Sequence, residues 1–74
     1  MRLSEFRRAV DDEYGSRYGR VVTHDLALAS LGGRTADEAL GEGEEAMAVW
    51  LALCEATEVP PDRRYGVGRP LPRR

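Results

Sequence analysis

The chain has 74 residues, which is enough for one small domain and no more. A single cysteine, Cys54, excludes an intrachain disulfide and a cysteine-rich zinc site. The formal net charge of −2 hides a strong segregation: residues 25–58 carry one arginine against eight acids, whereas residues 59–74 carry five arginines against one acid. No apolar run is long enough for a signal peptide or a membrane span, so we expect a cytoplasmic protein without membrane contact.

The first predicted helix begins near Leu3 or Ser4 and ends at Gly15. Ser4 is of a residue type that caps the free amide donors at the start of a helix, and glycine readily ends one in the left-handed conformation. Apolar residues recur at steps of three and four, which places them on one face: Leu3, Phe6, Val10 and Tyr14.

The second predicted helix runs from Ser16 or Arg17 to Leu31, where Gly32 and Gly33 form a stop signal. Gly19 weakens this helix by about 1 kcal/mol relative to alanine. The same periodicity predicts a broad buried stripe: Tyr18, Val21, Val22, Leu26, Leu28, Ala29 and Leu31.

The third predicted helix is short and begins with a capping box. The hydroxyl of Thr35 is expected to accept from the Glu38 amide, while the Glu38 carboxylate accepts from the Thr35 amide. Gly41 and Gly43 follow Leu40 and break the helix after about two turns.

The fourth predicted helix begins near Gly43 or Glu44 and ends by Glu58, because Pro60 disfavours helical geometry in the residue before it. Its apolar stripe predicts Trp50 as the anchor of the core, together with Met47, Val49, Leu51, Leu53 and Cys54. Pro61 suits the first position of one further turn. Residues 66–74 contain two glycines, two prolines and three arginines, which predicts a flexible basic tail after a single domain over residues 1–65.

These elements predict an all-α fold: a small bundle of three main helices, a short capped linking helix and the basic C-terminal tail. The chain resembles a small actinobacterial family known as domain of unknown function 3046. The resemblance covers residues 2 to about 65 and is carried by these segments: Met1-Arg2-Leu3 with Phe6, Asp11 to Gly15 with Tyr18, Leu31 to Thr35 with Glu38-Ala39-Leu40, Val49-Trp50 with Leu53-Cys54, and Val59-Pro60 with Arg63-Arg64. It implies a compact helical protein without an assigned activity, and no catalytic residues to carry over.

The residue types that could carry out chemistry do not converge in the predicted helices. Cys54 lies on an apolar stripe in an acidic segment, where a thiolate is disfavoured. His24 and Asp25 are adjacent in a helix and point about 100° apart, so they cannot readily share a ligand. The acids of residues 11–13 fan round the helix axis, unlike metal ligands that converge from a loop. We therefore expect no catalytic residue, no cofactor and no metal.

The second, third and fourth helices together resemble a helix-turn-helix DNA-binding unit, in which the fourth would enter the major groove. Residues 42–58, however, contain five glutamates and no basic residue, so phosphates would repel that helix. The sequence therefore predicts no sequence-specific DNA binding.

The charge segregation favours a small non-catalytic protein-interaction module with an unidentified protein partner. The candidate partner-binding residues lie at the C-terminal end: Arg63, Arg64, Tyr65, Arg69, Arg73 and Arg74. The alternative is a nucleic-acid-associated accessory protein that contacts phosphates weakly and non-specifically through the same arginines. The oligomeric state stays open.

Overall fold

Four α-helices make up most of residues 1–63, which are the residues that the computed structural model describes. They are α1 (Leu3–Tyr14), α2 (Ser16–Asp25), α3 (Ala36–Gly41) and α4 (Ala46–Thr57), with 3-10 turns at Ala29–Leu31 and Pro61–Arg63. The predicted all-α class and the predicted turn at Pro61 are confirmed. The predicted domain end at residue 65 and the predicted flexible tail of residues 66–74 fall outside the described residues.

Helix α1 begins two residues earlier than a Ser4 cap requires. The backbone of Arg2 is extended, with φ −84° and ψ 159°, so Arg2 is the capping residue and Ser4 lies inside the first turn. The predicted Ser4 cap is therefore wrong. The Glu5 carboxylate accepts a 2.7 Å hydrogen bond from the Arg2 backbone amide, which satisfies one of the free donors at this end. Gly15 ends the helix at the predicted position, but its φ of 85° and ψ of 157° lie outside the predicted left-handed helical conformation.

Helix α2 ends at Asp25, six residues before the predicted end at Leu31. The chain turns back through Gly32 and Gly33, both at positive φ, and Leu28 pairs with Arg34 in an isolated antiparallel bridge. The Leu28 amide donates to the Arg34 carbonyl at 2.9 Å, and the Leu28 side chain is fully buried. This tertiary bonding and burial outweigh the helical propensity of the segment.

The capping box of α3 is confirmed. The Thr35 hydroxyl accepts from the Glu38 amide at 3.1 Å, and the Glu38 carboxylate accepts from the Thr35 amide at 2.9 Å. Thr35 itself is extended, as a capping residue should be.

Helix α4 forms the centre of the core and ends where Pro60 predicts. Trp50 is 0% exposed, and its ring meets that of Phe6 edge-on at 6.4 Å between centroids, which confirms Trp50 as a core residue. The remaining buried residues of α4 are Val49, Ala52, Leu53 and Cys54. Helix α4 contacts α1, α3 and the first 3-10 turn, whereas α2 packs against α1 and α3.

Helices α1 and α2 approach each other most closely at Gly19. A Cβ atom built on Gly19 would lie 2.7 Å from Cγ1 of Val10. The glycine that weakens the isolated helix is thus required by the packing between the two helices. This crossing fixes the groove described next.

Candidate interaction surface

Six exposed side chains on the outer side of α2 form a surface that we refer to as the α2 face: Arg17, Tyr18, Arg20, Val21, His24 and Asp25. Four of them follow the spacing i, i+3, i+4 and i+7, so they lie along one side of the helix, and Tyr18 and Asp25 flank them. The face therefore combines two arginines, a histidine and one aspartate with two apolar side chains.

Tyr18 is 58% exposed and Val21 is 47% exposed. The predicted burial of both residues is wrong. The inward side of α2 is formed instead by Gly19, Val22 and Thr23. Since the close contact with α1 is made through Gly19, the helix is rotated so that the two larger side chains face outward.

A groove runs beside the α2 face. One part of about 320 Å³ lies between α1 and α2, and a second part of about 390 Å³ extends to Asp37 of α3. The two parts share Arg7, Arg20 and Thr23, and Val21 lines the second. The buried hydroxyl of Thr23 donates to the Gly19 carbonyl at 3.0 Å, so it is used within α2.

Asp37 links the walls of this groove. Its carboxylate accepts a 3.3 Å hydrogen bond from the Arg7 guanidinium, and it lies 3.5 Å from Nδ1 of His24. His24 therefore lies beside Asp37 of α3, and its sequence neighbour Asp25 lines the same part of the groove. Three helices contribute to this junction, because Arg7 lies in α1, His24 in α2 and Asp37 in α3.

Arg17 and Arg20 make no ion pair with another residue within residues 1–63. Glu13 of α1 binds Arg63. Two exposed guanidinium groups on the α2 face are therefore available to an external anion.

The aromatic ring of Tyr18 is supported from the core. It meets the Tyr14 ring edge-on at 6.1 Å between centroids. The Tyr14 hydroxyl lies 2.8 Å from Oγ1 of Thr57, which itself donates to the Leu53 carbonyl at 3.0 Å. Because Thr57 has one proton to give, Tyr14 is the donor in their hydrogen bond. Partial burial raises the pKa of Tyr14 above its ordinary value.

Arg63 is the one candidate partner-binding residue of the C-terminal end that the structure describes. Its guanidinium binds Glu13 in a bidentate pair, with Nε to Oε1 at 3.2 Å and Nη2 to Oε2 at 3.0 Å. The hydrogen bond that Arg63 donates to Glu13 raises the pKa of Arg63. The predicted partner role of Arg63 stays untested, but its charge is already matched by Glu13. The remaining candidates lie outside the described residues: Arg64, Tyr65, Arg69, Arg73 and Arg74.

Two of the acids in the middle of the chain form ion pairs with Arg34. Arg34 binds Glu42 at 2.6 Å and Glu44 at 2.8 Å, and it donates through Nε to the Leu31 carbonyl at 2.8 Å. The hydrogen bonds that Arg34 donates to Glu44 and to Glu42, with the one to Glu44 having the larger effect, raise the pKa of Arg34. This cluster was not predicted from the sequence, although residues 25–58 contain eight acids and a single arginine, Arg34.

The structure places the candidate chemical residues apart from one another. Cys54 is fully buried in the core, and Glu13 is used by Arg63. Within residues 1–63, no three side chains of His, Cys, Asp or Glu come together as metal ligands would. In the same range, every helix is too short or too polar to cross a bilayer.

The fold and the exposed face together define a small all-α domain with a mixed cationic and apolar helix surface. The family model described as protein of unknown function (DUF3046) matches residues 1–62, so the chain belongs to that family, as its sequence motifs indicate. No curated protein and no solved structure matches the chain.

Proposed function

We propose that this protein is a small non-catalytic interaction module that recognises a protein partner. The observation that carries the proposal is the α2 face, where the exposed Tyr18 and Val21 lie beside Arg17 and Arg20, which make no ion pair within residues 1–63. Aromatic and arginine side chains are the types that contribute most to binding at protein interfaces. In a domain whose core is filled by other residues, these side chains are not needed to close the fold.

The charge distribution supports a protein partner over a nucleic acid. Residues 1–63 carry seven arginines against thirteen acids, a net charge of −6, which repels a polyphosphate. The fourth helix is largely in the core, and its exposed residues are Ala48, Glu55 and Ala56. Neither alanine nor glutamate attracts a phosphate backbone.

The nucleic-acid-associated role is the second candidate, and it depends on the C-terminal end. Residues 64–74 contain four arginines and no acid. Such a segment can contact phosphates weakly and with strong salt dependence. The pairing of Arg63 with Glu13 removes one of the five arginines on which this candidate depends.

Affinity capture from the native cell, with and without nuclease, separates these candidates. The full chain is compared with Arg20→Glu, which alters the α2 face, and with Arg8→Glu, which makes the same charge change at an exposed position of α1 outside the groove. We expect a nuclease-resistant protein partner that is retained by Arg8→Glu and reduced by Arg20→Glu. Recovery that disappears with nuclease, or that is equal for all three proteins, contradicts the proposed function.

A further inference from the structure

We propose that the α2 face and the groove beside it bind an acidic peptide segment of the partner, with carboxylates on Arg17 and Arg20 and an apolar side chain against Tyr18 and Val21. The inference rests on the proposed function and names the surface and the partner chemistry. Cationic and apolar side chains lie next to each other along the exposed side of α2. Such a surface suits the proposed segment, because the ion pairs and the apolar contact together fix the register of the peptide on the helix.

The distance between Arg17 and Arg20 determines how far apart the two carboxylates of the segment must be. Arg17 and Arg20 are three residues apart on a helix, so their Cβ atoms are about 5–6 Å apart. Two carboxylates one helical turn apart, or two residues apart in an extended strand, match that separation. Arginine binds a carboxylate through two parallel hydrogen bonds, which adds geometric specificity to the charge attraction.

The apolar half of the surface is rigid enough to act as an anchor. Tyr18 is held by the edge-on contact with Tyr14, which the Thr57 hydroxyl fixes in turn. Val21 is β-branched and has one strongly preferred side-chain conformation in a helix. An incoming apolar side chain therefore meets two side chains that lose little conformational entropy on binding.

Other occupants are disfavoured by charge. The arginine-rich C-terminal end of the chain would be repelled by Arg17 and Arg20. A nucleic acid lying along the groove would meet the carboxylates of Asp11, Asp25 and Asp37, which line it. The same acids oppose an acidic segment less strongly, because it brings two carboxylates, both placed at Arg17 and Arg20, and not a continuous row of phosphates.

The test is a selection of 12-residue peptides from a random displayed library against the full chain. We expect the enriched peptides to share two acidic residues and one aliphatic or aromatic residue, and to shift the backbone amide NMR signals of Tyr18, Val21 and their neighbours. Their affinity should fall about tenfold or more in Arg20→Glu and change less than twofold in Arg8→Glu. Val21→Ser should weaken binding several-fold, whereas Ala48→Ser, at an exposed position of α4, should not.

Several outcomes overturn the inference. A selection that yields no binder, or binders without acidic residues, removes the proposed partner chemistry. Shifts confined to α3 or α4 remove the site but leave the interaction module standing. If a 12-nucleotide single strand or duplex shifts the α2 amide NMR signals more than the selected peptides do, the ligand of this surface is a nucleic acid. Shifts that depend on protein concentration without peptide indicate a second copy of this chain.

Discussion

Gly19→Ala is expected to destabilise the protein, although alanine is the better helix former. In an open helical position the substitution gains about 1 kcal/mol. Here the added Cβ would lie 2.7 Å from Cγ1 of Val10, well inside the usual 3.5–4.0 Å contact between carbon atoms. Val10 is buried and stiff at χ1, so it cannot easily move aside.

The helices must then separate or Val10 must take an unfavoured rotamer, and such overpacking costs about 1–3 kcal/mol. Subtracting the gain in helix propensity leaves a net loss of about 0–2 kcal/mol. For a domain of this size, a loss of 1 kcal/mol lowers Tm by about 4–8 °C. Urea unfolding followed by far-UV circular dichroism measures the change, provided that the m-value stays constant.

Gly41→Ala is the matched control. Gly41 ends α3, and no neighbouring atom lies within 4 Å of the added Cβ. This variant should be as stable as the parent or more stable by up to about 1 kcal/mol. In a Val10→Ala background, where the opposing methyl groups are absent, Gly19→Ala should become stabilising. If Gly19→Ala stabilises the parent as much as Gly41→Ala does, the close approach of α1 and α2 does not exist as described.

Three further predictions concern stability. Trp50→Ala should cost about 3–5 kcal/mol because the fully buried indole leaves a cavity, and an unchanged thermal melting curve would show that Trp50 is not a core residue. Thr35→Ala should cost about 0.5–2 kcal/mol by removing the cap of α3, and an unchanged urea midpoint would mean that the capping box does not contribute. Tyr14→Phe should cost about 0.5–1.5 kcal/mol at pH 7, since the hydrogen bond to Thr57 is lost. The raised pKa of Tyr14 favours the neutral phenol in the folded state, so its contribution is fully present below pH 10.0 and is lost as the pH rises through the folded pKa. The deficit of Tyr14→Phe should therefore narrow above pH 10.0, and a deficit that widens there would contradict the burial of the phenol.

The sequence predicted those elements whose signals are local. The capping box of Thr35 and the end of α4 before Pro60 depend on residues a few positions apart, and both are present. The end of α2 depends on a bridge between Leu28 and Arg34 and on the burial of Leu28, and neither is visible in helical periodicity. The prediction therefore placed the end of α2 six residues too late.

The candidate surface was missed for a similar reason. Tyr18 and Val21 fit the apolar period of α2, so the pattern indicated a buried stripe that also included Val22. The decisive fact is the contact of Gly19 with Val10, which sets the rotation of α2. The spacing of Arg17, Arg20 and His24 was an available signal, because a cationic row at i, i+3 and i+7 is incompatible with burial of that side.

The most direct test of the proposed function is photo-crosslinking from the α2 face in the native cell. A photoreactive amino acid replaces Val21 in one protein and Ala48 of α4, which is also exposed, in the other. We predict a discrete protein adduct from position 21 that resists nuclease, and no such adduct from position 48. Equal adducts from both positions, no adduct from position 21, or an adduct that nuclease removes would contradict the assignment of the α2 face as a protein-binding surface.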